Sequence, residues 1–132
     1  MTVWLSRHLI AAVHDEQLAE HRGAAGLRDI GLFDSALARP LNRAGYGDAD
    51  IAELAAVHAL AIARNHPFVD GNNRTAYVAL ERFLVLNGCR YPVGDAEAAV
   101  MMLAMASGEI GDAEFIDWVR ENAAVPNSPT AG

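Results

Sequence analysis

Apolar residues recur at intervals of three and four along most of the chain, and six helices follow from that spacing. Over residues 6–20, Leu9, Ile10, Val13 and Leu18 approximate one helical face, with Ser6 placed as the N-cap and the end expected near Gly23. Leu32, Phe33, Ala36 and Leu37 extend the pattern over 30–38, and Pro40 is expected to close this second helix. Residues 41–48, with Gly45 and Gly47 around Tyr46, carry no helical period and read as a flexible flap, either an ordinary surface loop or a segment presented to a partner or substrate. Asp50 and Glu53 have capping-box spacing, and the stripe Ile51, Leu54, Ala55, His58 and Ile62 makes His58 a core histidine of a third helix. That helix should stop at about Asn65, because Pro67 disfavours an α conformation at His66.

Residues 76–86 are apolar almost all round, interrupted by Glu81 and Arg82, and are expected to form the central buried helix, stopped by Asn87-Gly88. Asp95 is placed to cap a fifth helix reaching Met105, in which Met101, Met102 and Met105 fill the core, and Asp112 to cap a sixth bearing Phe115, Ile116, Trp118 and Val119. Cys89 reads as a small buried residue in a connector, and residues 126–132 as a frayed tail. Runs of β-branched and aromatic residues are scarce, so the expected fold is all-α, a compact six-helix domain over residues 1–125.

Composition narrows the function classes. At 132 residues and 52% apolar, the chain can close one hydrophobic core without a metal or disulfide staple. A single cysteine, no secretory leader pattern and no apolar run near the roughly 18 residues of a membrane span lead to the expectation of a cytoplasmic protein. The net charge of -7 argues against direct nucleic-acid binding. All ten basic residues are Arg, which reflects coding bias more than a binding surface.

The candidate chemistry lies between the third and fourth helices, in Asn65-His66-Pro67-Phe68-Val69-Asp70-Gly71-Asn72-Asn73-Arg74-Thr75-Ala76. A helix, a glycine turn and another helix place backbone N–H groups at a positive helix end, which binds anions. Gly71 permits the tight path, Asn72 offers hydrogen bonds to phosphate oxygens, and Arg74 offsets their charge. Neutral His66 is placed to take a proton from an attacking hydroxyl, and Asp70 supplies a hard oxygen for Mg²⁺. Phe68 and Val69 read as anchors in the core. The bland alternatives are a His66–Asp70 bond, a helix cap from Asp70 or Asn72, and pairing of Arg74 with Glu81. Upstream, Arg28 and Asp29 either pair locally or meet a ligand.

At these residues the chain resembles the Fic/Doc family, whose signature is His-x-Phe-x-Asp/Glu-Gly/Ala-Asn-Gly/Lys-Arg. Residues 66–74 match it at all but one position, and the likeness runs from Gly26-Leu27-Arg28-Asp29 to Asn87-Gly88. It is closest in pattern to the short death-on-curing branch. The resemblance implies ATP and Mg²⁺ as cofactors, with His66 as base, Asp70 as metal ligand, and Gly71, Asn72, Asn73 and Arg74 around the phosphates. It further implies transfer of the γ-phosphate to a threonine of elongation factor Tu, arrest of translation, and neutralisation by a cognate antitoxin. No Ser/Thr-x-x-x-Glu-Gly/Asn self-inhibitory segment is found, so inhibition in trans is expected.

Two positions separate the rival functions. Tyr77 stands where AMP-transferring relatives carry a second Arg, which favours phosphoryl transfer. Asn73 is neither the Gly of the AMP transferases nor the Lys of the Doc branch, so AMP transfer and a degenerate binding module remain as alternatives. A further rival, a metal phosphohydrolase, would use His14, Asp15, His58 and His66; otherwise His14-Asp15 is a partly exposed helical pair.

Overall fold

The computed structural model describes residues 1–124, so the tail expected to fray lies outside the described residues. Its helices are α1 (Arg7–His21), α2 (Ile30–Gly45), α3 (Ile51–Asn65), α4 (Asn72–Leu86), α5 (Asp95–Ala106) and α6 (Asp112–Asn122). The fold is all-α, with two isolated antiparallel bridges, Leu27 with Phe68 and Arg90 with Ala124, in place of any sheet among the described residues.

The axis of the molecule is α3, not α4 as its apolar sequence suggested. Eleven consecutive or near-consecutive α3 residues from Ala52 to Ala63 are buried, and α2, α4, α5 and α6 all pack against it. Alanine at six of its positions makes this possible, because small side chains let neighbouring helices approach from several sides. The volume is filled from the partners: Phe33 of α2, Phe83 of α4 and Phe115 of α6 are each buried. By contrast α4 exposes Val85 and Leu86 at its far end, and buries one face rather than its whole circumference.

Ser6 caps α1 by accepting from the Leu9 N–H, and Asp50 caps α3 by accepting from Glu53. The reciprocal half of the capping box is missing because Glu53 turns to Arg43, 2.5 Å away, which pins the end of α2 to the start of α3. Helices α5 and α6 begin one residue earlier than a side-chain cap would allow: Gly94 and Gly111 are the N-caps, and Asp95 and Asp112 sit in the first turn, where a carboxylate still meets the positive helix end.

Pro40 does not end α2. The helix runs on to Gly45 with Pro40 buried inside it, so most of the expected flap is a further helical turn and a half. Phe33, Ala36 and Pro40 form one buried stripe against α3, and that packing outweighs the lost hydrogen bond of the proline. His58 is a core histidine as expected, 3% exposed, with its ring 4.8 Å from Phe83 and 6.1 Å from Trp4. Burial pushes its pKa down to about 4.

Candidate active site

Helix α3 ends at His66, which adopts a left-handed conformation (φ 48°, ψ 56°) while its N–H still bonds to Ile62 O. That reversal turns the chain into the loop 67–71. A second left-handed residue, Gly71 (φ 76°), turns it back into α4, a geometry that favours glycine over any residue with a Cβ. The loop closes over a hollow of about 280 Å³ whose lining includes His66, Asp70, Gly71, Asn73 and Arg74. The residues singled out from the sequence are thus brought together, His66 on one rim and the start of α4 on the other.

No side chain caps α4 among the described residues. Its first helical bond is Thr75 N–H to Gly71 O, so the N–H groups of Asn72, Asn73 and Arg74 have no acceptor within the helix. With the positive end of the helix dipole they have the chemistry suited to an anion. Arg74 reaches toward Arg22 O at 3.4 Å, and its Nε, like Asn73 Oδ1, is buried without a partner among the described residues. The proposed Arg74–Glu81 pairing is not formed there.

Asn72 occupies an unexpected position. Its amide is 7% exposed and turned inward, accepting from Phe68 N–H and donating to Phe68 O, both at 3.0 Å. The cause lies on the loop's other side. Arg28 N–H and Asp29 N–H donate to Pro67 O, and Val69 N–H donates to Gly26 O, which makes Leu27 and Phe68 a non-hydrogen-bonded bridge pair. The polar groups of Phe68 therefore point away from the strap 26–29, and the Asn72 amide serves them as a neighbouring strand would. The fourth-helix cap proposed for Asn72 is not made.

Asp70 is exposed, and its Oδ1 accepts from Gly71 N–H at 2.8 Å. Its carboxylate lies over Gly23, where an added Cβ would come within 2.8 Å of Oδ2. No hydrogen bond joins Asp70 to the His66 side chain among the described residues. Among the described residues Arg28 does not pair with Asp29: it donates to His66 O at 2.7 Å and Asn65 O at 2.8 Å, bracing the negative end of α3, while Asp29 caps α2.

Of the pair His14-Asp15, expected to be partly exposed, His14 is the buried half. It is 2% exposed, lies flat on Phe68 (ring centroids 3.8 Å apart, planes 8° apart), and its Nε2 is 2.8 Å from Asp70 O. The buried α1 residues Ile10, Val13, His14 and Gln17 follow the spacing of a single helical face, so the signal for burial was present in the pattern. Asp15 points to solvent. Among the described residues no three metal-ligating side chains cluster, so His14, Asp15, His58 and His66 do not make the centre of a metal phosphohydrolase.

A larger cleft of about 590 Å³ meets the hollow at Asn73 and Arg74 and runs between α1, α4 and α5. It lacks His66 and Asp70, which line the smaller space. Tyr77 lines the cleft, and burial, reinforced by Glu81 and Asp95, pushes its pKa up to about 12. Burial, then Asp95, also raises the Glu81 carboxyl.

The motif thus lies on a helix–turn–helix loop with an uncapped helix start, a histidine on the opposite rim and a bracing strap. The Fic/DOC family model matches residues 4–84, more than half of the chain, which belongs to that family. The chain is 31% identical over 117 residues to the protein kinase doc of Escherichia phage P1, covering 88% of this chain and 92% of that protein. It is 44% identical over 68 residues to the toxin Doc of Mycolicibacterium smegmatis, covering 50% and 52%.

Proposed function

We propose that the protein is a Doc-type toxin that uses ATP and Mg²⁺ to phosphorylate a protein hydroxyl. The expected acceptor is a threonine of elongation factor Tu, with arrest of translation in the cytoplasm and neutralisation by a cognate antitoxin. The observation that carries this reading is the uncapped start of α4, whose N–H groups and Arg74 face the same hollow as His66. Similarity to a protein kinase and to a toxin of the same family supports it.

The residues fit the cofactors. Backbone N–H groups of 72–74 and the Arg74 guanidinium are suited to phosphate oxygens, and with the Asn72 amide engaged by Phe68 the contribution of Asn72 falls to its backbone. Asp70 is a single exposed carboxylate, which suits Mg²⁺ completed by phosphate oxygens and water rather than an all-protein metal cage. When bound, the nucleotide supplies the γ-phosphoryl group and Mg²⁺ offsets its charge. His66 takes the acceptor hydroxyl proton on a ring nitrogen as the new phosphorus–oxygen bond forms; the bond to the β-phosphate oxygen breaks and ADP leaves. Tyr77, protonated up to about pH 12, supplies no positive charge of the kind that AMP transfer uses at this position.

The test is incubation with elongation factor Tu and ATP labelled at either the α- or the γ-phosphate. Only γ-label should transfer, and none with His66→Ala. Transfer of α-label would establish AMP transfer, and labelling that survives His66→Ala would refute the role of the base. Asn73, neutral and unpartnered at Oδ1 among the described residues, motivates the degenerate-module reading. That reading prevails if wild type binds ATP without transfer and Asn73→Lys restores phosphorylation.

A further inference from the structure

We propose that His14 is a positioning residue for Asp70, acting from α1 to set the direction of the metal-binding carboxylate. The inference rests on the phosphotransferase reading of the hollow and adds a residue 56 positions upstream of Asp70. A carbonyl oxygen only accepts, so the 2.8 Å contact to Asp70 O requires the proton on His14 Nε2. The flat stack on Phe68 fixes the plane of the imidazole and hence the aim of that donor.

The same ring lies over Gly71, where an added Cβ would be 3.7 Å from Cδ2 and 3.8 Å from Nε2. One side chain therefore holds the Phe68 ring, orients the Asp70 peptide plane and covers the turn at Gly71. Once that plane is set, Gly71 N–H meets Asp70 Oδ1 at 2.8 Å, and the second carboxylate oxygen is directed over Gly23. A purely space-filling residue needs no donor at Nε2. The position supplies one at a carbonyl that would otherwise lose its bond in a part-buried site.

The substitutions His14→Gln and His14→Met have similar length and differ in the donor, while His14→Phe keeps a ring without one. Affinity for Mn²⁺ in the presence of ATP, read by electron paramagnetic resonance, should fall on the order of tenfold in His14→Met and His14→Phe. It should be largely recovered in His14→Gln, with transfer at saturating metal retained. The Gly71 and Asn72 amide resonances should move in the first two variants and return in the third. Equal metal affinity in wild type and His14→Met, or equal weakening in His14→Gln and His14→Met, would overturn the proposal. Should wild type bind no Mn²⁺–ATP, the phosphotransferase reading fails. Resonances unmoved in His14→Met relative to His14→Gln would then refute the positioning role on its own.

Discussion

Replacing Asn72 by Ala separates two roles that an asparagine in this signature can play. In the folded chain its amide makes two bonds to the backbone of Phe68, and both are buried. Truncation leaves one N–H and one C=O of Phe68 without a partner, because the Leu27 bridge has already turned those groups away from the strap. An unsatisfied buried polar group costs about 1–3 kcal/mol, and water entering from the adjoining hollow recovers part of that, so a loss of roughly 3 kcal/mol is expected. For a domain of this size that corresponds to a fall in Tm of roughly 10 °C. Thermal melts by circular dichroism, checked by urea unfolding, measure it without nucleotide. Asn72→Asp should fall between, since it keeps an acceptor for Phe68 N–H but sets an oxygen against Phe68 O. An Asn72→Ala protein melting within about 2 °C of wild type would refute the structural role. It would return the amide to phosphate binding.

Two further outcomes follow from other sites. His58 is held neutral in the core with its pKa depressed to about 4, so the unfolded chain binds its proton more readily. Its contribution is complete above pH 6.5 and is lost as pH falls from there to about 4, by roughly 3 kcal/mol in all; urea midpoints of His58→Leu should show a flatter profile across that window. Gly23→Ala places a Cβ within 2.8 Å of Asp70 Oδ2 at a backbone φ of +141°, so it should lower Tm by several degrees, on the order of 1–2 kcal/mol. It should also raise the Mg²⁺ concentration needed for half-maximal transfer, measured by titration.

Most helices were legible because their apolar stripes and the caps at Ser6 and Asp50 act within one or two turns of chain. Pro40 misled because a local rule met a tertiary one: its buried stripe against α3 carries the helix through. The centrality of α3 was likewise hidden, since alanines announce little apolar bulk and matter for how closely they let other helices approach. In the site, residue types were readable and orientations were not. Asparagine serves phosphate or peptide equally well by composition, and only the bridge to Leu27 decides that Asn72 faces Phe68. Arg28 and His14 act across 38 and 56 positions, beyond the reach of any local pattern.

The strap 26–29 also sets how independently the site can open. It is fastened to the motif loop by three backbone bonds and by Arg28, and its residues are exposed throughout. Bonds in such a place open at a fraction of the free energy needed to unfold α3 and its partners. The strap can thus lift from the motif loop while the core stays intact. Amides of 28, 29 and 69 are expected to exchange with solvent as one group, earlier than those of the α3 interior. The protein would then carry a population, small and reversible, that is folded everywhere except around the motif loop.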